Sequence, residues 1–228
     1  MAMMTHSMSE RPIPVIAIDG PSASGKGTIA KLVAQALGFR YLESGALYRL
    51  VALASLDRKV AAGEEARLVE IAATLPAEFH QDRILLAGKD VTDTLRDEAV
   101  GIRASEIAPL AAVRTALLAR QRAFRQSPGL VAEGRDMGSV VFPDAVLKVF
   151  LTASVEERAR RRHKQLMDKG IHATLRTLFR DLAERDKRDA ARSVAPLVAA
   201  PDAVHIDATN LSVQDVVAEV VERFRKVN

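Results

Sequence analysis

The sequence of 228 residues contains no cysteine and no tryptophan, and each absence closes off a class of function. Without cysteine there are no disulfides and no thiolate metal sites, and nothing points to an oxidising compartment. Without tryptophan, and with aromatic residues at only 4% of the chain, stacking platforms for single-stranded nucleic acid are scarce. No stretch approaches the ~20 apolar residues that span a bilayer. The segment from Met1 to Pro14 lacks the basic head and apolar run of a secretory signal. The expectations are therefore no nucleic acid, no membrane and a cytoplasmic address. The five histidines, His6, His80, His163, His172 and His205, follow no ligand or triad spacing, so neither a metal site nor a catalytic role is expected of them.

What is present is ordinary for a globular chain: 48% hydrophobic and 27% charged residues. The length suits one sizeable core with appended subdomains. Lys+Arg 33 against Asp+Glu 29 gives a net charge of +4, and the excess is local. Arg158 to Lys164 (RARRRHK) and Arg176 to Arg192 hold much of it. With so few aromatic residues beside it, such a cluster suits small phosphorylated ligands better than nucleic acid.

Short β-branched runs alternate with helical patterns, which predicts an α/β protein with a parallel sheet. Strands are expected at Val15 to Asp19, Phe39 to Leu42, Gly129 to Glu133, Ala145 to Leu151 and Ala203 to Asp207. A helix is expected from Thr28 to Leu37, where Ile29, Leu32, Val33, Ala36 and Leu37 share one face, with Gly38 closing it. A last helix is expected from Val213 to Phe224, capped by Ser212 with Asp215 three residues on. Between Ala62 and Asp97 the character changes, and Phe79 to Thr92 reads as a small hairpin with Gly88 near its turn.

The loop between the first strand and helix carries the first chemical signal. Gly20, Pro21, Ser22, Ala23, Ser24, Gly25, Lys26, Gly27 and Thr28 contain the G-x-x-x-x-G-K phosphate-binding pattern, here placed between strand and helix. Glycines let the backbone curl so that several N–H groups face one concavity. The helix N-terminus and Lys26 add positive charge, and together they suit the β- and γ-phosphates of ATP. The hydroxyl usual directly after the lysine is missing: Gly27 stands there and Thr28 follows. This GKGT form is typical of nucleoside monophosphate kinases.

Four segments in order then resemble one family. Asp19 to Thr28 (DGPSASGKGT), Glu43 to Arg49 (ESGALYR), Glu133 to Pro143 (EGRDMGSVVFP) and Glu184 to Leu197 (ERDKRDAARSVAPL) resemble the bacterial cytidylate kinases, with Lys187 at the variable position of the last. The resemblance runs from Ile13 to about Val227. It implies a P-loop NTPase-type fold: a five-stranded parallel sheet flanked by helices, a monophosphate-binding insert and a short lid. It implies an enzyme that transfers the γ-phosphoryl group of ATP, carrying Mg²⁺, to CMP or dCMP, acting as a monomer with no other partner. The expected division is a core of residues 12–42, 119–152 and 194–228, a monophosphate-binding part of 43–118 with an enlarged insert, and a lid with its adjoining helix at 153–193.

Phosphoryl transfer between anions asks for dense positive charge, and the candidates for catalysis are Lys26, Arg135, Arg158, Arg162 and Arg185. For Arg158 and Arg162 a solvated helix face is the competing reading, since Ser154 to Glu157 resembles a capping box that opens a helix. Arg49 is expected to clamp the acceptor phosphate. The resemblance places the cytosine at Ser44, Arg114 and Asp136 with Arg192 nearby, and the sugar and phosphate at Arg185 and Asp189 with Ser105 toward the sugar; Arg135, inside a matched motif, is a further substrate-binding candidate. Cytosine offers an amino donor that a carboxylate accepts, whereas uracil would set an oxygen against Asp136. Asp19 either acts on magnesium through water or caps the loop. A kinase for UMP or AMP and a P-loop nucleotide switch are the alternatives, and Gly27 argues against the switch.

Overall fold

The computed structural model describes residues 12–80, 83–168, 170–192 and 194–227. The expectations for the N-terminal segment up to Arg11, with His6, and the hairpin positions Gln81 and Asp82 lie outside these residues.

A parallel five-stranded sheet is built from β1 (Val15–Asp19), β2 (Arg40–Glu43), β6 (Leu130–Gly134), β7 (Leu147–Thr152) and β8 (Val204–Asp207), in the order β2-β6-β1-β7-β8. Strand β1 is central and every one of its residues is buried, as a strand covered on both faces must be. Its alternation decides what packs where. Val15 and Ala17 face a core shared with α2 (Ser44–Asp57), α4 (Glu98–Ile107) and α5 (Ala111–Arg122). Ile16 and Ile18 face a second core closed by α1 (Lys26–Leu37) and α8 (Val213–Val227), through Ile29, Val33, Val216, Val220 and Phe224.

The helix ends follow their local chemistry. Gly38 ends α1 at φ 67, a left-handed position that suits glycine, and its N–H donates to α1 carbonyls. The cap of α8 is reciprocal: the Asp215 N–H donates to Ser212 Oγ at 3.2 Å, and the Ser212 hydroxyl donates to Asp215 at 2.7 Å. At α6 (Val155–Met167) Ser154 Oγ accepts from the Glu157 N–H, but the Glu157 carboxylate turns to Arg160 and Arg161 instead of completing a box.

The excursion between the second strand and α4 holds α3 (Glu65–Ala73) and a separate antiparallel sheet of β3 (Ala77–Phe79), β4 (Ile84–Leu86) and β5 (Lys89–Asp90). Ala87 and Gly88, both at positive φ, make the two-residue turn between β4 and β5. Helix α5 runs through residue 118, so the division expected at 118/119 cuts an element. Helices α6 and α7 (Leu175–Ala190) pack as a hairpin after β7. On α7, Leu182 is buried while Leu175 and Phe179 are exposed: the outer half of the helix projects beyond the core. Among the described residues no helix is long and apolar enough to cross a membrane.

Candidate active site

The carboxyl ends of β1, β2 and β6 open on one side of the sheet, and the chain crosses from β1 to β2 over β6 before returning. Crevices at such a reversal are where open α/β sheets hold ligands. Here the crevice is a cavity of roughly 300 Å³, walled by the loop after β1, the start of α2, the end of β6 and the inner faces of α4, α6 and α7.

The loop after β1 binds the start of the site. Gly20 is required by close approach, because a Cβ there would meet the Leu151 carbonyl oxygen at 2.1 Å. Gly25 at φ 94 closes the curl into α1. Lys26 Nζ donates to the Pro21 carbonyl at 3.3 Å and lies 3.7 Å from Glu133 at the end of β6. Burial pushes the Lys26 ammonium down to about 8 and the Glu133 carboxyl up to about 7, each partly restored by the other's charge. Ser24 Oγ is buried with no hydrogen-bond partner. Thr28, the hydroxyl after Gly27, is exposed.

Asp19 caps rather than faces the cavity. Its two carboxylate oxygens accept the N–H groups of Met137 and Gly138, both at 2.8 Å. Burial raises its carboxyl to about 6 against the pull of those two bonds. The segment it caps, Met137–Val141, is a five-residue π-helical turn, a rare geometry that recurs at functional sites. That turn fixes Asp136, buried against Arg114, whose guanidinium also donates to the Ala108 carbonyl at 3.2 Å and lies over the Tyr48 ring. Burial raises the Asp136 carboxyl, with Arg114 and Arg192 pulling against it. Ser44 fits beside them because Gly134 has no side chain; a Cβ there would meet Ser44 Oγ at 2.5 Å. Arg49 donates to the Leu95 carbonyl at 2.7 Å, and its guanidinium lies against Gly101 of α4, where a Cβ would come within 3.2 Å.

Arg135 bridges the walls. It donates to Ser22 Oγ at 2.7 Å and pairs with the buried Asp189 at 2.9 Å; the other oxygen of Asp189 takes Arg192. Asp189 is thus taken by Arg135 and Arg192 and not by Arg185, one turn before it on α7. Arg185 lines the cavity with its Nε buried and unpartnered, and burial with Arg135 nearby lowers its guanidinium to about 10. A guanidinium nitrogen kept from water without a hydrogen-bond partner is poised for an anionic ligand.

The cavity thus gathers Ser22, Ala23 and Lys26 of the loop with Ser44, Arg49, Ser105, Arg114, Arg135, Asp136, Arg162, Arg185, Asp189 and Arg192. Arg158 does not join that wall. It is buried behind the loop, donating to the carbonyls of Ser22 and Ala153 and pairing with Asp186. The arginine run on α6 divides by helical period: Arg158, Arg161, Arg162 and Gln165 turn inward, while Arg160 and Lys164 are solvated. Arg161 and Glu133 were not expected at the site. Arg161 donates to the carbonyls of Ser24 and Ala208, at 3.1 and 2.6 Å. The i, i+3, i+4, i+7 spacing of that polar stripe was the available signal for Arg161, and Glu133 had one in its place at a strand end beside the loop lysine.

The family model described as "Cytidylate kinase" matches residues 16–226. The protein named cytidylate kinase from Nitrosomonas europaea is 56% identical over 217 residues, 95% of this chain and 97% of its own. Its namesake from Ralstonia pickettii is 56% identical across 98% of this chain and 97% of its own. That from Burkholderia cenocepacia is 58% identical across 94% of each.

Proposed function

We infer the activity from one premise: the chain belongs to the cytidylate kinase family. It is an enzyme, a nucleoside monophosphate kinase that phosphorylates CMP and dCMP. Its phosphoryl donor is a nucleotide, and the donor we propose is ATP with Mg²⁺. The observation that carries the residue assignment is the unpartnered Nε of Arg185, in a cavity that also holds Lys26 and Arg135.

In this reading the loop's N–H groups and Lys26 hold the donor's β- and γ-phosphates. Arg49 and Arg185 draw in the acceptor phosphate, with Arg162 reaching over from α6. Arg135, held by Ser22 and Asp189, lies between donor and acceptor. An oxygen of the CMP phosphate attacks the γ-phosphorus, the bond from that phosphorus to the bridging oxygen breaks, and ADP leaves with the electron pair. The acceptor oxygen is already anionic near neutral pH, so no general base is required, and the arginines act by placing and neutralising charge. Ser44, Arg114, Asp136 and Arg192 take the base, and Ser105 and Asp189 the sugar.

The residues suit a metal ion carried in by the nucleotide. Among the described residues no cluster of three or more His, Asp or Glu side chains is placed to hold an ion alone. With both Asp19 oxygens engaged, Glu133 is the carboxylate available beside the loop, and the orphaned Ser24 Oγ is a second oxygen there. Bound with the donor, the ion would neutralise charge on its phosphates.

The chain divides, on this reading, into a core, a monophosphate-binding part and a lid formed by α6, α7 and the turn between them. The cavity takes residues from all three parts, and the enzyme is proposed to act as a monomer. The testing experiment is ADP release with CMP, dCMP, UMP, AMP and dTMP as acceptors. CMP and dCMP are expected to be fastest, and a faster UMP or AMP reaction overturns the base assignment.

Donor binding is expected to take up protons. Lys26 near 8 and Glu133 near 7 are both displaced toward their neutral forms, chiefly by burial and further by neighbouring charges of their own sign. With metal-free nucleotide, polyphosphate charge raises both, so each binds more proton in the complex than in the free enzyme. Uptake should therefore be measurable from about pH 7 to 9, as a dependence of calorimetric heat on buffer ionisation enthalpy. Proton release over that range would contradict the placement of the phosphates beside this pair.

A further inference from the structure

Ser22 of the donor loop is held at two atoms by two arginines, each paired with a different acid of α7. Its carbonyl accepts from Arg158 at 3.1 Å, and Arg158 pairs through both its terminal nitrogens with Asp186, at 2.5 and 3.1 Å. Its hydroxyl accepts from Arg135 at 2.7 Å, and Arg135 pairs with Asp189 at 2.9 Å. Asp186 and Asp189 are three residues apart, so they leave the same side of the helix. The links form a closed ring, from Ser22 through Arg158 to Asp186, along one turn of α7 to Asp189, and back through Arg135. Arg158 and Asp189 are almost wholly buried, so water screens the ring little. Arg158 is also tied to the end of β7 by its bond to the Ala153 carbonyl, at 2.9 Å.

We propose that Arg158 and Asp186 are positioning residues that fasten α7 to the donor loop, so that filling the donor site prepares the acceptor groups Arg185, Asp189 and Arg192. The inference rests on the donor and acceptor sites assigned above. A loop curled around phosphates fixes Ser22, and a fixed Ser22 holds both acids of α7. The acceptor then meets groups whose ordering has been accomplished by the donor, which is positive coupling without a large movement. Loss of an ion pair that only stabilises the fold would lower the melting temperature without changing the effect of one ligand on the other. Buried pairs are in any case a weak source of stability.

The test is calorimetric titration of CMP into the full chain, with and without saturating ADP. In the parent enzyme ADP is expected to tighten CMP binding by about 5–150-fold, and CMP to tighten ADP by the same factor. In Asp186→Asn the factor should fall toward one, while CMP alone binds within about twofold of the parent. Arg158→Lys keeps the charge but loses the fork that reaches carbonyl and carboxylate together, and should lose the coupling likewise. It carries the test if Asp186→Asn does not fold. A folded variant of either kind that keeps the parent's factor overturns the proposal, as does a parent factor of one. A parent that takes no CMP in either condition refutes the acceptor assignment, and the inference with it.

Discussion

Replacing Lys26 with alanine is expected to lower turnover on the order of 10³-fold, to the same extent with CMP and with dCMP. The lysine lies at the start of α1, so its ammonium and the helix N-terminus act on the same phosphates. It is nearly buried, with Glu133 and the Pro21 carbonyl as its partners, and an interaction made out of water is worth more than one made in it. The loss should fall on both acceptors alike, because they differ only at the sugar and nothing places Lys26 there. Steady-state kinetics decide it: a variant retaining more than about a tenth of the activity would remove Lys26 from the transferring phosphate. The folding cost is blunted, since Glu133 is already pushed toward its neutral form and takes up a proton when its partner is gone. Lys26→Met, which refills the space, should show the same kinetic loss with a smaller fall in melting temperature.

The strands and the loop were legible because each carries its own local signal. β1 is a buried β-branched run, the loop has its glycines and lysine at fixed spacing, and Gly38 stops α1 by a backbone requirement that a side chain resists. Boundaries shifted by only a residue or two, as at β2, observed at Arg40–Glu43. The role of Arg158 was not legible. Four arginines lie within five positions of α6, and only the packing of α6 on α7 selects which of them reaches Asp186. The ring through Ser22 joins residues more than a hundred positions apart, and sequence spacing carries no trace of it. The two uses open to Asp19 were equally readable from its place at a strand end. What decides between them is the π-helical turn of Met137–Val141, whose N–H groups come back to it from beyond β6.

Asp136 should govern the choice of base. Its carboxylate is an acceptor, cytosine brings an amino donor to it, and uracil brings a second acceptor. A charge-assisted hydrogen bond contributes about 1.5–3 kcal/mol, so its loss should cut the preference for CMP over UMP by roughly 10- to 150-fold in Asp136→Ala. The loss should appear in kcat/KM for CMP, with donor affinity little changed. Alanine also leaves Arg114 without its carboxylate, and Asp136→Asn separates that effect from recognition. Its amide nitrogen can donate to the uracil oxygen, so the asparagine variant should gain UMP activity outright, which a merely damaged site would not. A proton on the native carboxyl should act in the same direction. Burial raises the Asp136 carboxyl, so it protonates at a higher pH than an ordinary aspartate. The protonated form can donate to uracil, and the CMP/UMP ratio should therefore fall as pH falls through that value and recover above it. The asparagine variant should show a flat ratio over the same range. If the ratio stays constant with pH in the native enzyme and survives Asp136→Ala, the base is read by Ser44, Arg114 and Arg192 without this carboxylate.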